Sequence, residues 1–141
     1  MRRPDYLTSL ADLRILADCT TNELKSASKL VTAIEFGAGE VILRQDTFGR
    51  EFLIVASGQL GIERTDGDLT KVLGVAETGD VVGEMALLHR ELRTATVTTL
   101  VPTRIYVGST REFFTLLDAL PTVARRIMSI ADERQRTNLA A

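Results

Sequence analysis

The residues best equipped for chemistry fall in one segment, Gly79-Asp80-Val81-Val82-Gly83-Glu84-Met85-Ala86-Leu87-Leu88-His89-Arg90-Glu91-Leu92-Arg93-Thr94-Ala95-Thr96-Val97. Gly83 lets the backbone approach a ligand closely. The next residues read as a short helix over 84–88, whose first amides are unpaired donors at the positive end of a dipole. Ala86 is small where a ligand would crowd. Arg93 offers a planar fork to two phosphate oxygens and stays charged when buried. Thr94 adds a hydroxyl donor beside it. Glu84 is then the informative residue, because a carboxylate beside a phosphate is repelled unless it has another task. Accepting the proton of a sugar hydroxyl is such a task. A phosphate on Arg93 and a ribose hydroxyl on Glu84 describe a nucleotide. A short fixed separation between them describes a cyclic one.

Other chemistries find little support. The chain has one His, one Cys and no Trp. The usual metal sites need several imidazoles or thiolates, so no metal ligands and no metal cofactor are expected. Nucleophilic catalysis would have to use His89, and no G-x-S-x-G motif is present, so no catalytic residues are expected and the chain reads as a non-enzyme. A cupin-like enzyme fails on the same missing histidines. The net charge is −2 in 141 residues, which draws the chain to neither nucleic acid nor an anionic membrane. The lone Cys19 fits a reducing compartment and reads as a small core hydrophobe. No apolar run reaches the roughly 20 residues that span a bilayer, and Met1-Arg2-Arg3-Pro4-Asp5 lacks a signal-peptide core. The expectation is a cytoplasmic protein without a membrane partner.

The elements around that segment are helix, then strands, then helix. Ser9-Leu10-Ala11-Asp12, Thr20-Thr21-Asn22-Glu23 and Ser109-Thr110-Arg111-Glu112 have the form of capping boxes. Helices are expected near 9–18 and 21–30 from the spacing of Leu10, Leu13, Leu16 and of Leu24, Ala27. Short strands follow at Val41–Leu43, Phe52–Ala56, from Leu60, at Leu69–Val75, Thr94–Leu100 and Arg104–Val107, with a hairpin signal at Thr65-Asp66-Gly67-Asp68. Such spacing predicts a mainly β fold with flanking helices: an eight-stranded antiparallel β-barrel of jelly-roll type, with N-terminal helices, a short cassette helix and C-terminal helices. Pro121 suits a first helical residue. Val123, Ile127 and Ile130 line one face of the last helix, either against the barrel or as a dimer seam. Arg125, Arg126, Arg134 and Arg136 read as a solvated face, with Arg134 also a candidate lid over a ligand. One domain spans 1–141, with helices over 1–31, the barrel over 32–108 and C-terminal helices over 109–139.

Gly83-Glu84-Met85-Ala86-Leu87-Leu88, followed by Arg93 and Thr94-Ala95-Thr96-Val97, resembles the phosphate-binding cassette of the cyclic-nucleotide-binding domain family, which includes the bacterial catabolite activator protein and the regulatory subunit of protein kinase A. The resemblance extends through Gly39-Glu40-Val41-Ile42, Phe52 to Leu60, Gly79-Asp80, the Phe113 helix and Pro121, nearly the whole chain. It departs at Val82, where the family often has an aromatic residue or Ile, and at Gln45-Asp46, where a Gln-Gly-Asp turn is shortened. The resemblance implies that Glu84 binds the ribose 2′-hydroxyl and Arg93 the cyclic phosphate. Val82, Gly83, Met85, Ala86, Thr94 and Ala95 would line that site, and Arg134 and Asn138 would face the purine.

The expected ligand is cAMP, the commoner messenger in bacteria, whose proteins the sequence suggests. cGMP stays open, because a Thr after the cassette Arg is linked to cGMP preference in some members. The expected role is a sensor that signals by movement of its C-terminal helices to a protein effector yet to be identified, with a homodimer through the last helix as a further expectation. The alternatives are the sensing portion of a bacterial-activator-type transcription factor, whose helix-turn-helix would follow about residue 140, or of a longer regulated enzyme. These residues alone would bind no nucleic acid. A domain that has lost its ligand is disfavoured, because Glu84 and Arg93 are both present.

Overall fold

The computed structural model describes residues 9–137. Residues 9–11 are helical and Arg14–Leu16 form a 3₁₀ turn, so the first expected helix is broken after residue 11. Ser9 is itself helical, so it lies within the helix it was expected to precede. α1 spans Thr21–Ser28, and its capping box is formed: Glu23 N donates to Thr20 Oγ1 at 3.1 Å and Thr20 N to Glu23 Oε1 at 2.8 Å.

Eight strands follow: β1 Thr32–Phe36, β2 Val41–Leu43, β3 Glu51–Ser57, β4 Gln59–Asp66, β5 Leu69–Glu77, β6 Val81–Val82, β7 Thr96–Thr99 and β8 Thr103–Ser109. α2 (Glu84–His89) interrupts them between β6 and β7. α3 (Thr110–Ala119) and α4 (Pro121–Thr137) come last, and the Ser109–Glu112 box caps α3. The strands pair antiparallel in two sheets, ordered β1-β8-β3-β6 and β2-β7-β4-β5. The jelly roll is therefore a sandwich of two four-stranded sheets, not the closed barrel expected. β7 begins two residues later than expected because the Arg93 backbone bonds the 46–47 loop instead, with Arg93 N on Thr47 O and Asp46 N on Arg93 O, both at 2.8 Å.

β3 divides the interior. Leu53 and Val55 join Leu43, Leu60, Ile62 and Val97 between the sheets. Phe52 and Ile54 face the other way, into a second core with Leu13, Leu16, Leu24, Phe113, Val123 and Ile127. Coverage on both faces explains the unbroken apolar run Phe52–Val55, where a one-sided strand would alternate. The apolar stripe of α4 thus packs on its own chain: Val123 and Ile127 are buried and Ile130 half-buried in the helical core. Arg126 is not part of a solvated face, since its guanidinium caps the 3₁₀ turn by donating to Ile15 O at 3.1 Å and Ala17 O at 2.7 Å. No helix among the described residues is long and apolar enough to cross a membrane.

Candidate functional site

β6 ends at Gly83, where φ is 90° and the chain enters the left-handed region. A Cβ at this position would stand 2.8 Å from Arg93 Nη1 and 3.2 Å from Glu51 O, so both backbone angle and space require glycine. Gly83 is the N-cap of α2 and provides no side-chain cap for its amides.

Arg93 is 2% exposed and is the largest of the fully buried side chains. Its Nη1 donates to Gly83 O at 3.2 Å and its Nη2 to Glu51 O at 2.5 Å. Burial pulls the guanidinium below its ordinary pKa, and the nearby Glu51 and Glu84 carboxylates push it back up. Two main-chain carbonyls thus fix the fork, using two of the five N–H donors of the guanidinium.

Glu84 is completely buried at the start of α2. Its Oε1 accepts from Arg134 Nη1 of α4 at 2.5 Å. Its Oε2 accepts no hydrogen bond from the described residues. A buried acceptor left bare is uncommon in native proteins and marks a place where a partner is expected. Arg134, one of the two residues expected to face the purine, is thus joined to Glu84 across the turn. Asn138, the other purine-facing expectation, lies outside the described residues.

The structure brings Gly83, Glu84, Arg93 and Arg134 together. Met85 and Ala86 are buried on α2, and Thr94 is half-buried beside Arg93. Val82 and Ala95 point into the core between the sheets. His89 is exposed. Two contributors escaped the sequence reading. One is Gly49, where a Cβ would meet Ala86 Cβ at 2.5 Å and Arg93 Cζ at 3.5 Å. The other is Glu51, through its carbonyl on Arg93. The only sequence signal for either was a glycine just before a buried strand. Among the described residues no group of three or more His, Cys, Asp or Glu side chains could hold a metal ion.

Known proteins share this sequence pattern and fold. Residues 33–119 match the family model described as "Cyclic nucleotide-binding domain". The chain is 30% identical over 125 residues to the "Acetyltransferase Pat" of Mycolicibacterium smegmatis, covering 89% of this chain and 37% of that protein. It is 30% identical over 130 residues to a "cAMP-dependent protein kinase regulatory subunit" of Mycosarcoma maydis, covering 89% of this chain and 25% of that protein. Both relatives are therefore much longer than the matched region. Among solved structures, the regulatory domain of Toxoplasma gondii PKA with cAMP superposes with a TM-score of 0.80 at 25% identity, covering 94% of this chain and 50% of that one.

Proposed function

We propose, from the premise that the chain belongs to the cyclic nucleotide-binding domain family, that it holds a cyclic nucleotide over the Gly83-Glu84 turn and reports occupancy through α4. The observation that carries this reading is the bare, buried Glu84 Oε2 on the turn whose carbonyl fixes the Arg93 fork. A ribose hydroxyl donating to that oxygen, with the cyclic phosphate on Arg93, satisfies both groups at once. The cAMP named with the solved relative favours cAMP as the ligand, and Thr94 leaves cGMP open.

Entry requires movement, because Glu84 and Arg93 are both buried and Arg134 ties α4 across the turn. Oε1 holds the helix while Oε2 faces the hydroxyl, so nucleotide and helix engage one carboxylate. Any preference of the ligand for one position of α4 then shifts the helix by the same free energy. The domain acts by binding and movement, with no catalytic step of its own. The much longer relatives support a second level of output, in which α4 relays occupancy to an attached module, as an enzyme such as the acetyltransferase would require.

Calorimetric titration of cAMP and cGMP into wild type and Arg93→Ala tests the reading. Wild type saturates with at least one nucleotide, and Arg93→Ala weakens it by at least tenfold, as expected for losing a charge-assisted pair. Absence of binding by both nucleotides to wild type, or equal binding by the variant, overturns it.

A further inference from the structure

A second cleft lies away from the cassette, between the 3₁₀ turn, the β5–β6 turn and the first half of α4, with a volume of about 590 Å³. Three guanidiniums reach it, from Arg14, Arg125 and Arg126, against the single carboxylate of Asp80. That carboxylate is already committed: Oδ1 accepts from Arg14 Nη2 at 2.5 Å and Oδ2 from Glu77 N at 2.8 Å. Arg126 is likewise turned to the carbonyls of Ile15 and Ala17. Arg125 differs, since its one hydrogen bond among the described residues goes to Thr122 Oγ1 at 3.3 Å. Thr122 and Ser129 put hydroxyls on the same helical face, and Ile15 and Ile130 give the cleft an apolar part. The local charge is positive in a chain whose net charge is −2. Size, apolar surface and a few converging polar groups are the attributes of a small-molecule site.

We propose that this cleft binds a small organic anion, a phosphate or carboxylate carried on an apolar body. The charged group pairs with Arg125 and the free donors of Arg14, and the body rests on Ile15 and Ile130. The occupant clamps α4 to the 3₁₀ turn and to Asp80, three residues ahead of Gly83. It therefore biases the helix that carries Arg134 without entering the cassette. This site stands independently of the cyclic-nucleotide reading.

Phenyl phosphate is the probe, titrated into the full chain labelled with ¹⁵N and followed by amide chemical shifts. The expected result is saturable shifts at Ile15, Arg125 and Ser129. Phenol alone reproduces none of them, and Arg125→Glu, an exposed change on a helix surface, weakens binding at least tenfold. No saturable shifts, shifts confined to Gly83, Glu84 and Thr94, or unchanged binding by Arg125→Glu overturns the proposal. Because the readout separates cleft from cassette, it does not depend on whether cAMP binds.

Discussion

Glu84 is buried with one carboxylate oxygen bonded and the other bare, an arrangement that costs on the order of 1–3 kcal/mol when no partner arrives. The residue before it is constrained more tightly still. Gly83→Ala forces an L side chain to φ 90° and drives a Cβ toward Arg93 Nη1. The expected loss is about 1–3 kcal/mol of stability, read as a lower urea midpoint, together with weaker nucleotide binding because the fork is pushed off its carbonyls. Cys19 supplies a pH dependence. Burial raises its thiol above the ordinary 9.0, Glu23 adds to this, Arg126 opposes it and Asp18 adds a little more. The unfolded chain ionises first, so the stabilisation is complete below that ordinary value and is lost as pH rises through the folded one. Urea midpoints at pH about 7, 9 and 10 should fall less steeply in Cys19→Ala than in wild type. At this scale Gly83, Glu84 and Arg93 were legible because their side-chain types declare their chemistry. Gly49 and Glu51 were not, because one acts by lacking a Cβ and the other through a carbonyl that every residue has.

The Arg134–Glu84 pair ties the end of α4 to the Gly83-Glu84 turn. Arg134→Ala leaves a buried carboxylate with neither oxygen bonded to the chain. Full burial of such a charge would cost about 3–5 kcal/mol, but α4 can lift and let water reach it, so about 1–3 kcal/mol is expected. Hydrogen exchange should show faster opening over 131–137, and Glu84→Gln added to Arg134→Ala should recover part of the stability by removing the stranded charge. Elements were legible where local chemistry defines them: the Thr20 and Ser109 capping boxes, Pro121 opening α4, and the β4–β5 hairpin with Gly67 at φ 63°. The break after residue 11 and the pairing of Arg134 were not, since both depend on what α4 packs against.

For the molecule as a whole, a ligand that binds only the folded state raises its stability by mass action. Saturation at about 100 times Kd corresponds to about 2.7 kcal/mol, a rise in melting temperature of roughly 10 °C for a domain of this size. A thermal scan against cAMP concentration should follow that logarithmic course, and Arg93→Ala should flatten it. The division of the interior by β3 could be anticipated only in part. The apolar run announced burial on both faces, while closure into a barrel or a sandwich depends on ladders between distant strands.

The helical core joins the first described residues to nearly the last, and Arg126 bonds Ala17 and Ile15 across 109 and 111 positions of sequence. During synthesis from the N-terminus, the outward face of β3 and the early helices must therefore wait for α4 to leave the ribosome. Until then Leu13, Leu16, Phe52 and Ile54 lack much of their cover, and the nascent chain presents a sticky surface at the time when chaperones would meet it.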